Sequence, residues 1–333
     1  MATHAQLRGP FALGTFADGD GAPFPGLVAE SRVLDLRGRP ALGSPTTTRD
    51  LLERWEEVLP ILERLAEGAK GATGTKDAWR PVDSLRTLAP VEPRQLLQSG
   101  ANYRQHVIDL AIAHRPAEDT RPVEQARAEI GAMMDRRAAE DQPYMFIGLP
   151  SSITGPYDDV ELPDWCTKPD WELELAAVIG APAYRVTPEQ ALGHVAAYTI
   201  ANDLTARELV FRRDMPEIGT DWLRCKNVPG FTPLGPYLVP AAFVADPADL
   251  RVTLKLNGET MQDESTADML FDVARMVSYA SQTTRLLPGD LVLTGSPAGN
   301  GMHWGRFLAD GDVMDGTITG LGVQRTRCVR ESA

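Results

Sequence analysis

One strand-like segment carries two carboxylates that lie two positions apart. The segment DWELELAAVIG, residues 170–180, places Glu172 and Glu174 among residues that are otherwise mostly apolar. Side chains alternate between the two faces of a strand, so both carboxylates point to the same face. A buried carboxylate is costly unless it is paired, and two neighbouring ones stay charged only with a cation between them. The pair therefore indicates either a cation site or a protruding strand end whose two acids face water.

A third carboxylate favours the cation site. Asp203 ends another strand-like run, in YTIANDLTARE, and ligand sites gather at strand ends that face a cleft. Three carboxylates with no Cys or His at ligand spacing indicate a hard divalent ion, which is Mg²⁺ or Mn²⁺ with Ca²⁺ as a further alternative, rather than Zn²⁺. Three protein ligands leave coordination positions open for substrate oxygens or water.

Strands dominate the part of the chain that must position these acids. The strand-like runs are YMFIG, ELELAAVIG, VAAYTIANDL, GPYLVP, RVTLKLNGE and DLVLTG. Asn257-Gly258 between alternating runs predicts a hairpin turn, and VTPEQALGHV and MLFDVARMVSYASQ predict helices. Another helix begins near Asn102, and residues 116–141 predict a further one, which is either a lid or a solvated helix. Few helices separate the strands, which favours a mixed α+β, strand-dominated fold over a doubly wound parallel sheet.

The first 90 residues predict a small N-terminal α/β domain. Residues 1–45 hold short apolar runs broken by Gly, Pro and Asp, which is typical of a β-meander. The run TTTRDLLERWEEVLPILERL has helical apolar spacing, and Pro60 is expected to kink or divide that helix. Residues 68–92 are loop-rich. These features place a domain boundary after residue 90, with the catalytic domain over residues 91–333.

The composition excludes several classes of function. The chain has 333 residues and a net charge of −13, and such a surface repels nucleic acid and anionic membranes. Its three cysteines lie far apart without a CxxC pair, which argues against a disulfide framework and fits a reducing cytoplasm. The sequence shows no signal-peptide pattern and no apolar run long enough to span a membrane. We therefore expect a cytoplasmic protein that acts on a small molecule.

Five motifs, in order, resemble those of a known family. GANYRQH is similar to an Asn-Tyr-x-x-His motif, DWELELAAVIG to a Glu-x-Glu metal strand, and YTIANDLTARE to the segment of the third ligand. CKNVPGFTPLGPYLVP resembles a lysine segment that contains Pro-x-Gly-Pro. LLPGDLVLTGSPAGNG resembles a Gly-Asp…Thr-Gly-Thr-Pro-x-Gly signature, with Ser296 in place of the last Thr. From about Ser99 to Val329, the chain is identified as a member of the fumarylacetoacetate hydrolase (FAH) superfamily.

The resemblance implies a β-roll-like catalytic fold with a Mg²⁺ centre, usually in a homodimer. It implies a 2-oxo or diketo acid as substrate, as in the catabolism of aromatic compounds. Carried over position by position, it makes the metal ligands Glu172, Glu174 and Asp203. It assigns catalytic roles to His106, Asp109 and Lys226. It assigns substrate contacts to Tyr103, Arg207, Thr294, Gly295 and Ser296.

The implied catalytic residues have types that suit hydrolysis. Without the motifs, His106 would be a surface histidine and Lys226 a solvated lysine. His106 ionises near neutral pH, so it is a natural general base for a water molecule. Asp109 follows three residues later on the same helix, where many family members have Glu, and it can orient the ring. Lys226 can place a positive charge against an oxyanion or a departing enolate.

Three kinds of function fit these residues. The first is hydrolytic cleavage of a C–C bond in a diketo acid, such as an acylpyruvate or a fumarylacetoacetate-like compound. The second is decarboxylation or tautomerisation of an oxaloacetate-like acid, with hydration of a 2-oxo-enoate as a variant. The third is a catalytically silent binding protein, supported only by Gly148 and Pro229, where many members have Lys and Asp. The His106 and Asp109 pair favours the hydrolase.

Overall fold

The computed structural model describes residues 7–71, 79–113, 115–116 and 118–331. Residues 72–78 of the predicted loop-rich segment therefore lie outside the described residues. The N-terminal strands are β1 (Ala12–Ala17), β2 (Phe24–Ala29), β3 (Arg32–Asp35), β4 (Arg80–Pro81) and β5 (Arg86–Leu88). They form one antiparallel sheet in the order β4-β3-β2-β1-β5, so the predicted meander is present and β5 joins it from the far side.

Two helices pack beside this sheet: α1 (Thr48–Leu52) and α2 (Trp55–Glu67). The division expected at Pro60 falls instead at residues 53–54, and Pro60 lies inside α2. Thr47 caps α1 through a capping box with Asp50, which fixes where this short helix begins. Buried residues of α2 at helical spacing hold that helix against the sheet, so the loss of one backbone N–H at Pro60 is tolerated.

The rest of the chain supplies fifteen strands and six α-helices among the described residues. The strands are β6 (Leu96–Ser99), β7 (Met145–Gly148), β8 (Ile153–Thr154), β9 (Val160–Leu162), β10 (Pro169–Asp170), β11 (Leu173–Ile179), β12 (Val195–Asn202), β13 (Thr205–Ala206), β14 (Thr232–Pro233), β15 (Val239–Pro240), β16 (Arg251–Leu256), β17 (Glu259–Ser265), β18 (Leu291–Leu293), β19 (Val313–Ile318) and β20 (Val323–Arg330). The helices are α3 (Arg104–Ala113), α4 (Val123–Glu140), α5 (Pro188–Ala191), α6 (Trp222–Lys226), α7 (Val273–Thr283) and α8 (Gly301–Trp304).

The central sheet has six strands in the order β15-β12-β11-β18-β6-β7. Neighbouring strands are antiparallel except β18 and β6, which are parallel. Every residue of β11 is buried, because the two faces of the strand pack into two different apolar clusters. This explains a sequence that is apolar on both faces. Glu172 and Glu174 lie on the same face as the buried residues Ala176 and Val178 of β11, so the two acids point into the interior.

A second sheet of five strands has the order β17-β16-β19-β20-β9. The predicted hairpin joins β16 to β17, and both turn residues have positive φ angles, 52° at Asn257 and 88° at Gly258. Asparagine and glycine tolerate this conformation better than other residues do, so the turn prediction is confirmed. Buried and less buried residues alternate along β16, as expected for a strand with one face in the core.

The N-terminal sheet is attached to the rest of the molecule by hydrogen bonds and apolar packing. The backbones of Leu13 and Leu238 exchange two hydrogen bonds of 2.9 and 2.8 Å. One apolar cluster contains residues of β1, β2, α2, β11 and β18. The domain boundary after residue 90 stays a prediction. The predicted mixed, strand-dominated fold is confirmed, and among the described residues no helix is long and apolar enough to cross a membrane.

Candidate active site

Strand register brings the three predicted metal ligands together. Leu173 at the start of β11 pairs with Asn202 at the end of β12. The residues just outside this pair are Glu172 and Asp203, and the Asp203 N–H donates to the Glu172 carbonyl at 2.8 Å. Glu174 follows Glu172 on the same face. Carboxylate oxygens of the three residues lie within 4.8 Å of one another, so the predicted cluster exists in the structure.

The burial of this cluster fits a cation. Glu174 and Asp203 are fully buried, and the Glu172 side chain is 13% exposed. The Oε1 atom of Glu174 is buried without a hydrogen-bond partner. Burial, and then repulsion by Asp203, raises the pKa of Glu174 well above its ordinary value. A divalent cation held by these three carboxylates removes both costs, so the donor set fits a hard metal ion such as Mg²⁺ or Mn²⁺.

Lys226 is a fixed cation of the site. It ends the short helix α6 and is only 2% exposed. Its Nζ lies 2.6 Å from an oxygen of Glu172 and 2.6 Å from Asp203 Oδ2, and donates to the Asp203 carbonyl at 2.8 Å. Burial lowers the Lys226 pKa, but Asp203 and Glu172 outweigh it and raise the pKa above its ordinary value. Lys226 therefore stays protonated and acts as a positive charge rather than as a base.

Arg207, predicted to bind substrate, is held by two carboxylates of the protein. Its Nε donates to Asp170 at 2.7 Å, and its Nη2 pairs with Glu172. Asp170 is fully buried and also accepts hydrogen bonds from the backbones of Gly301 and Met302 at the start of α8. Arg207 therefore fixes one oxygen of Glu172 and ties the metal strand to α8. A substrate contact by Arg207 stays a prediction.

The charges of the site leave room for a divalent ion. Four carboxylates, at positions 170, 172, 174 and 203, face two cations, Lys226 and Arg207. With all six groups ionised, the site carries two unbalanced negative charges. A divalent cation held there would balance them and would offset the cost of burying these acids.

Gly295 orients one of the metal-ligand candidates. Its N–H donates to Glu174 Oε2 at 2.8 Å. Its φ angle is +87°, and a Cβ atom there would lie 3.0 Å from the Asn102 Cβ. Only glycine adopts this conformation without strain, so the signature loop approaches the carboxylate closely. This contact supports a role in holding Glu174, while the substrate contact predicted for Gly295 stays untested.

The other three predicted substrate-binding residues differ in whether their hydroxyl groups already have hydrogen-bond partners. Thr294 is fully buried, and its hydroxyl donates to the Leu175 carbonyl at 2.9 Å. This donor is therefore already used in a hydrogen bond to β11. Ser296 accepts a hydrogen bond of 2.9 Å from the Gln262 amide. The Tyr103 hydroxyl is buried without a partner, and burial followed by repulsion from Glu174 raises the Tyr103 pKa. Tyr103 therefore has a buried hydroxyl group without a hydrogen-bond partner, at a position where the charge of Glu174 acts on it.

His106 lies in the first turn of α3 and faces the acidic cluster. It is 8% exposed, and burial lowers its pKa to about 4, although the charge of Glu172 opposes this shift. The near-neutral pKa expected from the sequence is therefore wrong for this buried ring, which is neutral and can accept a proton but is a weaker base than an exposed histidine. No hydrogen bond from the His106 ring to Asp109 is found among the described residues. Asp109 Oδ1 instead accepts from Gln105 at 2.8 Å and pairs with Arg127 of α4 at 2.8 Å. The orienting role of Asp109 therefore stays a prediction.

Two site residues were missed in the sequence. Asp170 pairs with Arg207, and Gln98 on β6 donates its side-chain amide to Asp203 Oδ1 at 2.5 Å. Asp170 lies two positions before Glu172, and Gln98 directly follows the apolar pair Leu96-Leu97 of a strand-like run, and these positions are the signal that could have identified them. The helix predicted within residues 116–141 is present as α4, and the ion pair between Arg127 and Asp109 attaches it to α3. A role as a lid stays a prediction.

The lowered pKa of His106 makes the stability of the folded protein depend on pH. Its pKa is about 4 in the folded protein and about 6.5 in an unfolded chain. The unfolded state therefore takes up the proton first as the pH falls, and stability is lost between about pH 6.5 and 4, by roughly 3 kcal/mol in total. Urea unfolding of the wild type and of His106→Asn measures this effect. The free energy of unfolding of the wild type minus that of His106→Asn is expected to decrease as the pH falls from about 6.5 to 4. A difference that stays constant contradicts the prediction.

Fold and site together define a mixed α/β enzyme with a carboxylate centre at the end of a central β-sheet. A family model described as fumarylacetoacetate (FAA) hydrolase C-terminal matches residues 95–329. The chain belongs to this family, and the predicted superfamily is thereby confirmed.

The chain is similar to relatives with different named activities. It is 34% identical over 295 residues to oxaloacetate tautomerase FAHD2A, mitochondrial, of Bos taurus, covering 87% of this chain and 82% of the relative. It is 41% identical over 187 residues to a 2,4-didehydro-3-deoxy-L-rhamnonate hydrolase of Sphingomonas sp. (strain SKA58), covering 55% of this chain and 64% of the relative. The crystal structure of a maleylpyruvate hydrolase of Sphingobium sp. SYK-6 with manganese(II) and pyruvate has the same fold, with a TM-score of 0.72, 23% identity, and coverage of 96% and 100%.

Proposed function

We propose that the protein hydrolyses a C–C bond in a small diketo acid of the acylpyruvate or fumarylacetoacetate-like class. The observation that carries this proposal is a nearly buried His106 on which the charge of Glu172, one of three clustered carboxylates, acts directly. Glu172, Glu174 and Asp203 would hold Mg²⁺ or Mn²⁺, and Mn²⁺ is the ion named with the maleylpyruvate hydrolase. When bound, such an ion polarises a carbonyl oxygen of the substrate as a Lewis acid.

The protein's own residues supply the proton transfer and the charge. His106 accepts a proton from a water molecule, whose oxygen adds to the carbonyl carbon distal to the 2-oxo acid group. The C–C bond then breaks, and its electron pair leaves with the 2-oxo acid as an enolate, which takes up a proton. Lys226 stays protonated beside Glu172 and Asp203, so it stabilises the negative charge that develops. The products are a carboxylic acid and a 2-oxo acid.

A second candidate is tautomerisation of an oxaloacetate-like acid, with decarboxylation or hydration of a 2-oxo-enoate as variants. One contact in the site favours it: Asp109 pairs with Arg127, and among the described residues it makes no hydrogen bond with His106 that would orient the imidazole. The mitochondrial relative is named as an oxaloacetate tautomerase. Tautomerisation needs no activated water, so it depends less on an oriented imidazole.

The homodimer and the cytoplasmic location stay predictions, as does the specific ion.

One assay separates the two candidates. Metal-stripped protein is reloaded with Mg²⁺ or Mn²⁺ and incubated with acetylpyruvate or with the enol form of oxaloacetate. The expected result is loss of acetylpyruvate absorbance with equal amounts of pyruvate and acetate by NMR, only in the reloaded samples. Turnover of the oxaloacetate enol without cleavage of acetylpyruvate contradicts the hydrolase and supports the tautomerase. Inactivity of the reloaded protein toward both acids contradicts both candidates.

A further inference from the structure

Gln98 is a polar side chain at the centre of the site with one unused atom. It lies on β6, is fully buried, and donates from Nε2 to Asp203 Oδ1. The other end of the same amide, Oε1, is buried without a hydrogen-bond partner. An unsatisfied buried acceptor is costly, and a ligand that brings a donor removes that cost. The amide therefore has one end on a metal-ligand candidate and one end free for a ligand.

Gly148 provides the space for this amide. It ends β7, which pairs with β6, and a Cβ atom at Gly148 would lie 2.4 Å from Gln98 Oε1 and 2.8 Å from Gln98 Cδ. Any side chain at position 148 would therefore displace the Gln98 amide. The wall of the site formed by β6 and β7 is neutral because a glutamine amide fills the space that a side chain at position 148 would take.

The cations of the site are already paired with carboxylates of the protein, which matters for a ligand that brings a second carboxylate. Among the described residues, the cations paired with the site carboxylates are Lys226 and Arg207, and both are engaged by two acids each. A 2-oxo acid already brings one carboxylate. A second carboxylate placed at the Gln98 wall would meet the carbonyl oxygen of the amide, whereas a hydroxyl group could donate to Oε1.

We infer that Gln98 is a specificity-determining residue, whose Oε1 selects 2-oxo acids that carry a hydroxyl group over those that carry a second carboxylate. This inference rests on the proposed action on 2-oxo acids and names the class of substrate within it. Gly148 is the residue that permits this selection, because it leaves the amide in place.

Ligand binding tests the inference without any need for turnover. The Mn²⁺-loaded protein is titrated by calorimetry with 5-hydroxy-2-oxopentanoate and with 2-oxoglutarate, which have equal chain length and differ in the terminal group. The hydroxy acid is expected to bind at least about tenfold more tightly, the effect of one hydrogen bond to a buried acceptor. Gln98→Leu should reduce this preference to within roughly threefold. Gly148→Lys combined with Gln98→Ala should reverse it, because a cation then faces the terminal group.

The ratio of the two affinities is the decisive quantity, since a general loss of metal affects both acids alike. Gln95→Leu is the matched control, because Gln95 directs its amide to Asp290 and the Arg285 carbonyl, away from the site. Equal binding of the two acids by the wild type, an unchanged ratio in Gln98→Leu, or no binding of either acid overturns the inference. If the ratio behaves as expected but no acid is turned over, the proposed function fails and the inference stands.

Discussion

Replacing Glu174 by Gln is expected to abolish metal binding and activity while the fold survives. Glu174 is fully buried, accepts the N–H of Gly295 on one oxygen and has no partner for the other. Gln keeps the shape of the side chain but removes the negative charge, and a neutral amide is less costly to bury than a carboxylate. We expect the affinity for Mn²⁺ to fall by about 10²-fold or more and the turnover rate by about 10³-fold.

Calorimetric Mn²⁺ titration, metal analysis and thermal unfolding check this result. The control is Glu161→Gln, because Glu161 is an exposed acid in the middle of β9 and lies outside the site. The control should keep the metal content and activity of the wild type. A Glu174→Gln protein that retains one tightly bound Mn²⁺ contradicts the assignment of the metal centre, and one that fails to fold shows that Glu174 is structural.

Replacing His106 by Asn has the second large effect, and it differs between the two candidate reactions. If His106 is the general base, hydrolysis of a diketo acid should slow by about 10²–10⁴-fold. Tautomerisation or decarboxylation of an oxaloacetate-like acid should be largely spared, because neither needs an activated water. Since the pKa of His106 is about 4, the wild-type imidazole is neutral at higher pH, and hydrolysis should stay active well below pH 6.5.

Steady-state rates for both substrate classes, measured with the same metal-loaded preparation, check this difference. His194→Asn is the control, since His194 follows α5 in a short 3₁₀ turn outside the acidic cluster. Hydrolysis that survives in His106→Asn refutes the assigned base. An equal loss of both reactions indicates instead that His106 positions the substrate or the metal.

The conformations of short segments followed from the sequence. Alternation put Glu172 and Glu174 on one face, and Asn257-Gly258 gave the hairpin, because neighbouring residues impose these conformations. The order of five motifs was enough to indicate the family, since each motif is itself a short local pattern. The division between α1 and α2 was misplaced, because capping at Thr47 and packing of α2 outweigh the local preference at Pro60.

The partners of the site residues depended on the tertiary structure. Arg207 meets Asp170, Asp109 meets Arg127, and Gln98 reaches Asp203 across 105 positions of sequence. These pairs form where sheet register and helix packing place two distant segments, and no local pattern contains that information. The sequence by itself therefore determined which residue types could do chemistry and on which strands and helices they lie. Only the tertiary structure decided which charges they meet, because long-range packing sets those distances.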